Sequence, residues 1–253
     1  MAAGENKQFQ DTRHADAWTY QHQHNLTALD EQAIDDTFKH SVRFYRALLA
    51  EYLPPDKNVL IMDLPCGEGR MVYALKEMGY HNVQGYDLDT ARLLTGQKLG
   101  LPLLEGDCFR TLAGQKDNSI DMIVSMDFLE HLEKNEVIDF LKQAAAKTAP
   151  GGTFVVRTPC ADNPFGIRHI YNDFTHKWAA TSGVLEQLLH SAGFAETVVF
   201  GEDPNSGMRF GAVRMMIFRI ATGAANLFTR ALGQGSLDIW TPSMWAVARN
   251  ARR

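Results

Sequence analysis

Val59-Leu60-Ile61-Met62-Asp63-Leu64-Pro65-Cys66-Gly67-Glu68-Gly69-Arg70 is an apolar run that ends in an acid and breaks into a loop bearing two glycines. A short apolar run bounded by turn residues reads as a buried parallel strand, followed here by a tight turn and the start of a helix. Gly67 and Gly69 remove the side chains that would hold a ligand away from the backbone, and the first turn of the helix presents unsatisfied N–H groups. A small ligand is expected there. A dinucleotide fingerprint requires G-x-G-x-x-G, but counting from Gly67 and Gly69 the third position is Val72. In the alternative register Pro65 stands where the first glycine belongs, so NAD is disfavoured.

Downstream, acids recur at intervals of roughly one βα unit: Asp63, Asp87, Asp107 and Asp127. Asn82-Val83-Gln84-Gly85-Tyr86-Asp87 reads as a second strand, and an acid about 20 residues after a glycine loop is placed to accept from both ribose hydroxyls. Leu103-Leu104-Glu105-Gly106-Asp107-Cys108 reads as a third strand end and Ile120 to Asp127 as a fourth. Phe128-Leu129-Glu130-His131-Leu132 follows, and Ala149-Pro150-Gly151-Gly152 turns into a fifth strand, Thr153 to Pro159.

D-x-P-x-G-x-G and the four segments after it, in this order, resemble the class I S-adenosylmethionine-dependent methyltransferases. The resemblance covers about Val59 to Val247. It implies an α/β, Rossmann-like doubly wound sheet, mostly parallel with one antiparallel strand. It also implies S-adenosylmethionine as cofactor, with Asp107 and Cys108 on the adenine edge and Phe128 to Leu132 at the mouth of the site. Asp63, Pro65, Cys66, Gly67, Gly69, Asp87, Leu88, Asp107, Cys108, Met126 and Asp127 form the candidate cofactor-binding set. Pro65 departs from the family's usual glycine.

The 253 residues suit one α/β domain with additions. A formal charge of −5 without a basic run before the C-terminal region disfavours a nucleic-acid partner. Cys66, Cys108 and Cys160 are odd in number and lack metal-ligand spacing, so they read as reduced thiols of a cytoplasmic protein, and no metal is expected. The residues after Met1 are polar, so neither a signal peptide nor an early span is expected.

Residues 1–56 read as a tail and cap helix, 57–202 as the cofactor-binding core, 203–238 as a helical insertion and 239–253 as the last strand and C-terminus. In the first segment, Ile34, Phe38, Val42, Tyr45, Leu48 and Leu49 recur at helical spacing before Pro54-Pro55 stops the helix. Trp18, Tyr20, His22 and His24 form either a surface tail or a lid. Thr181-Ser182 reads as a helix N-cap and Gly193 as its stop. The final segment, Ile239 to Arg249, looks like the family's antiparallel strand, pairing beside Thr197 to Phe200.

Two stretches carry the acceptor question. Thr158 to Phe165 and Tyr171 to Trp178 are loop chemistry beyond the fifth strand, where open α/β sheets hold ligands. The run from Asp173-Phe174-Thr175-His176 through Thr181 and Leu185 to Ala192-Gly193-Phe194 resembles a bacterial branch of the family linked to saccharide and other small-molecule biosynthesis. Between about Gly207 and Gly233, apolar residues are interrupted by Arg209, Arg214, Arg219 and Arg230. A spanning helix would not carry Arg219 near its centre, so a basic amphipathic helix is left. It would roof the substrate pocket, pair two subunits in a homodimer, or lie against an anionic membrane.

A sulfonium methyl is already a good electrophile, so alignment and, for a hydroxyl acceptor, proton removal are the protein's tasks. His131 and His176 are the candidate bases, with Asp173 three residues before His176 to orient it. O-methylation of a small molecule or saccharide is the first expectation. N- or C-methylation, or a catalytically silent binding protein, are the alternatives.

Overall fold

The computed structural model describes residues 31–202 and 211–251. Trp18, Tyr20, His22 and His24, and with them the choice between tail and lid, lie outside the described residues.

Helix α1 (Glu31–Leu49) precedes the sheet. β1 (Ile61–Asp63), α2 (Arg70–Glu77), β2 (Val83–Asp87), α3 (Thr90–Gln97), β3 (Leu103–Glu105), α4 (Cys108–Ala113) and β4 (Ile120–Met126) then alternate strand with helix. A single 3₁₀ turn, Leu129–His131, leads into α5 (Lys134–Lys147) and β5 (Thr148–Pro159). The remainder is α6 (Ile167–Tyr171), α7 (Ser182–Ala192), β6 (Glu196–Gly201), α8 (Gly211–Ala231) and β7 (Ser243–Arg249).

The seven strands lie in the order β3-β2-β1-β4-β5-β7-β6. β1 pairs in parallel with both β2 and β4, and β7 inserts antiparallel between β5 and β6. The direction of winding reverses between β1 and β4, and at such a switch point the loops leaving the two strands part and open a crevice.

Apolar side chains dictate this layering. Ile61, Met122, Val124, Val155 and Trp245 project to one face, where Phe38, Tyr45 and Leu49 of α1 and Met71, Val72 and Leu75 of α2 cover them. Met62, Ile123, Phe154 and Val156 project to the other face, onto Phe140, Leu141 and Ala144 of α5 and Leu185 and Leu189 of α7. Each such large side chain contributes about 1.5–3 kcal/mol by leaving water. Local chemistry sets the helix ends. Thr181 Oγ1 accepts from Val184 N at 3.3 Å, Asp89 caps α3 through Ala91 N and Arg92 N, and Gly193 closes α7 with φ 116°.

Candidate active site

A cavity of about 380 Å³ opens at the carboxyl edge of the sheet, between the loops that leave β1, β2 and β4. Nine of the eleven candidate cofactor residues line it: Pro65, Cys66, Gly67, Asp87, Leu88, Asp107, Cys108, Met126 and Asp127. Asp63 and Gly69 do not. Gly69, at φ 85°, is the N-cap of α2, and a Cβ there would lie 2.7 Å from Leu103 Cδ1. Its missing side chain makes room for the core, not for a ligand. Gly67, at φ 54°, does border the cavity, and a Cβ on it would lie 2.6 Å from Arg92 Nη2.

Asp87 ties the two loops together. Its Oδ2 accepts from Gly67 N at 2.7 Å and its Oδ1 from Asp89 N at 2.8 Å. Burial raises its pKa despite these two donors and the nearby Arg92 guanidinium. Each carboxylate oxygen has two lone-pair positions, so one on each oxygen remains beyond the backbone bonds. Asp107 caps α4 by accepting from Arg110 N at 3.0 Å, and Phe109 joins Cys108 on the adjoining wall.

Asp63 is fully buried beneath the loop, and neither of its oxygens has a hydrogen-bond partner among the described residues. Burial, reinforced by the Asp87 charge, pushes its pKa well above the ordinary carboxylate range. Burial likewise raises the Cys66 and Cys108 thiols, so neither is an activated nucleophile.

Tyr45 and Arg157, absent from the candidate set, also line the cavity. Tyr45 comes from the apolar stripe of α1, and its position in that stripe gave it the signature of a core residue. Arg157, on β5, holds Asp127 Oδ2 at 2.9 Å and Glu202 Oε1 at 3.0 Å. It therefore fixes the loop after β4, where Asp127 has φ 50°.

The loop beyond β5 is bonded onto the 3₁₀ turn. Lys177 N donates to Glu130 O and Trp178 Nε1 to Leu129 O, both at 2.8 Å. These bonds bring Thr175 to the cavity wall beside His131. Thr175 Oγ1 lies 2.6 Å from Asp173 Oδ1 and 2.8 Å from His131 Nδ1. The carboxylate only accepts, so the single hydroxyl proton goes to Asp173, and Thr175 Oγ1 accepts from His131 Nδ1–H. That places the imidazole lone pair on Nε2. Burial acts to raise the Asp173 pKa, but the Thr175 donors and the two histidines hold it below its usual value.

His176 and Asp173 do not line the cavity. The His176 ring packs edge-on against His131, with centroids 4.8 Å apart, and its Nδ1 donates to Ile170 O at 2.6 Å. Nε2 of His176 is 4.0 Å from Asp173 Oδ2, so Asp173 reaches the cavity wall through Thr175. Glu130, also buried, accepts from Thr158 at 3.1 Å, and burial followed by the Asp127 charge raises its pKa. Glu130, His131 and His176 each offer a donor atom within 4.8 Å of the others.

Glu68, almost fully buried, is clamped beside the glycine loop by Arg70 Nε at 3.0 Å and Nη2 at 2.8 Å, a two-point ion pair that neutralises its charge there. The cavity lining carries five acids, Glu68, Asp87, Asp89, Asp107 and Asp127, and three arginines, Arg70, Arg92 and Arg157, beside aromatic walls. With Glu68 paired to Arg70 and Asp127 to Arg157, such a lining offers Asp87 and Asp107 as acceptors for donor groups and apolar walls for a ring.

Residues 37–198 match the family model of a methyltransferase domain. The chain belongs to this methyltransferase family. Its strand order is that of the class I fold, and its cofactor is S-adenosylmethionine. Solved structures agree on the fold. An S-adenosylmethionine-dependent methyltransferase from Archaeoglobus fulgidus superposes with a TM-score of 0.64 at 19% identity, over 85% of this chain and 97% of that one. One from Mesorhizobium loti gives 0.55 at 19% identity, over 81% and 97%. A phosphoethanolamine N-methyltransferase from Haemonchus contortus, in complex with S-adenosylhomocysteine, gives 0.57 at 13% identity, over 88% of this chain and 58% of that one. No curated protein sequence matches this methyltransferase.

Proposed function

We propose that this methyltransferase O-methylates a hydroxyl of a small molecule or saccharide, with His131 as general base. The observation that carries this reading is the chain Asp173–Thr175–His131 at the cavity wall, which fixes the tautomer whose Nε2 takes a proton. An alcohol needs such a group because its proton must leave as the new C–O bond forms. A neutral amine attacks with its lone pair and does not need it beforehand. Asp173, held in its charged form, stabilises the imidazolium through Thr175, the logic by which a carboxylate supports a histidine base.

The residues around the cavity fit S-adenosylmethionine. Asp87 has acceptor positions for the two ribose hydroxyls; Leu88 and Phe109 are apolar walls for the adenine, with Asp107 and Cys108 at its edge. Pro65, Cys66, Gly67, Met126 and Asp127 border the remaining length, and Tyr45 and Arg157 close the opposite side. When bound, the sulfonium supplies the electrophilic methyl. The protein holds the acceptor in line, excludes water with Phe128, Leu132 and Tyr45, and moves the acceptor proton to His131.

Asp63 lies beneath the glycine loop and not on the cavity wall, so its part is to act through its charge on the cationic amino end of the cofactor. Burial raises the Asp63 pKa and a cation bound nearby lowers it again, so binding favours the charged carboxylate. Cofactor binding therefore releases protons, and affinity rises with pH across the window between the free and bound pKa values. The stability effect runs the other way. The folded state binds more protons than the unfolded chain between the ordinary and the raised pKa, so ligand-free stability falls as pH climbs through that range. Calorimetry in buffers of different ionisation enthalpy measures the release. Asp63→Asn is expected to abolish it and to weaken binding about tenfold, whereas an unchanged proton count would remove Asp63 from this role.

The direct test is transfer of a labelled methyl group to panels of sugar and small-molecule hydroxyls and of matched amines. Ether formation that depends on His131 supports the reading. Methylation of amines alone would overturn it.

A further inference from the structure

Helix α8 presents an apolar stripe that nothing in the described structure covers. Val213, Met216, Ile217, Ile220, Leu227 and Phe228 recur at spacings of three, four and seven, on one side of the helix, and all are exposed, Leu227 at 73% and Ile220 at 65%. The opposite edge decides which way the stripe points. Asn226 Nδ2 donates to Leu237 O at 3.0 Å, Leu237 N donates back to Asn226 Oδ1 at 2.7 Å, and Thr229 Oγ1 donates to Gly235 O at 2.7 Å. With its polar edge bonded to the returning chain, the helix is rotationally set and the stripe faces outward.

Charge flanks the stripe. Arg219 and Arg230, three turns apart, border one side of it and Arg214 the other. From Pro204 to Leu237 the sequence has four arginines and not one acid, in a chain whose net charge is −5. An apolar stripe between arginines matches a surface that is oily inside and anionic at its plane. It matches less well the same stripe of a second copy, because an isologous axis would bring arginine against arginine. No described helix is long and apolar enough to cross a membrane.

The returning chain extends the surface toward the active site. Trp240 Nε1 donates to Leu237 O at 2.9 Å, Trp240 O accepts from Asn163 Nδ2 at 3.0 Å, and its ring packs near that of Phe165 at 6.5 Å. Phe165, like Phe174 farther along the same loop, is largely exposed.

We infer that α8 lies flat in the headgroup region of an anionic lipid bilayer, with its apolar stripe in the acyl boundary and its arginines on the phosphates. This placement concerns where the enzyme works and does not depend on which atom it methylates. The purified full chain is sedimented with phosphatidylcholine vesicles, with and without phosphatidylglycerol, at about 0.1 M and about 1 M salt. Binding is expected only with phosphatidylglycerol, and weaker at high salt. R219Q/R230Q is expected to weaken it about thirtyfold. Ile220→Ser combined with Leu227→Ser is expected to abolish it, with the circular dichroism spectrum and S-adenosylhomocysteine affinity of the parent retained. Failure to bind either vesicle overturns the inference. So does a concentration-dependent dimer that the double serine variant dissociates, since that would give the stripe to a second copy.

Discussion

Asp87→Ala is expected to weaken S-adenosylhomocysteine binding by about 100-fold or more. Two losses combine. The ribose hydroxyls lose a charged acceptor, and hydrogen bonds to charged groups are each worth about 1.5–3 kcal/mol. The backbone N–H groups of Gly67 and Asp89, now bonded to the two carboxylate oxygens, also lose their anchor, so the loop that forms one wall of the cavity is released. Asp87→Asn separates the two effects, because its amide oxygen can still hold one backbone N–H while the charge is gone. It should fall between the parent and the alanine variant. Titration calorimetry reads all three, and an alanine variant with unchanged affinity would remove Asp87 from the ribose site.

His131→Ala is expected to lower kcat by about 10²- to 10⁴-fold, the usual contribution of a positioned base, while S-adenosylhomocysteine affinity stays within a few-fold of the parent. A histidine base loses its lone pair in acid, so kcat of the parent falls on acidification, and that limb should be missing from the pH profile of the variant. Thr175→Val tests the positioning chain. It keeps the shape but removes the hydroxyl between Asp173 and His131, so kcat should fall with little change in KM for the acceptor. EDTA should leave the parent unaffected. Activity lost to EDTA and restored by a divalent cation would instead make Glu130, His131 and His176 metal ligands.

The fold was legible because its signals are local. An apolar run, an acid and a glycine turn recur along the chain, and the acids at residues 63, 87, 107 and 127 each stand at the end of a strand or just beyond it. The antiparallel β7 was legible from the family's order of segments, since nothing in Ser243 to Arg249 itself announces its direction. The cavity was harder to read. Tyr45 repeats with the helical period of α1, and a sequence pattern cannot distinguish a core-facing ring from one whose edge reaches a cavity. Arg157 sits in an apolar strand as an apparent irregularity, and its purpose appears only when Asp127 and Glu202, 30 and 45 residues away, close around it.

The DFTH segment shows the same limit at closer range. Asp173 and His176 carry the obvious chemistry, but Thr175 is the residue that reaches the cavity, because Lys177 and Trp178 bind the loop to the 3₁₀ turn in that register. Gly69 is the converse case. Its sequence position suggests a ligand contact, but the close approach of Leu103 makes it a packing glycine.

Calorimetric titration of the purified chain with S-adenosylmethionine, S-adenosylhomocysteine and NAD decides whether the cavity around Asp87 takes the methyl donor and not a dinucleotide, whose fingerprint has Val72 here in place of its third glycine. One site of micromolar affinity is expected for each of the first two, with no heat of binding for NAD. Binding of NAD, or of none of the three, would contradict that reading of the cavity.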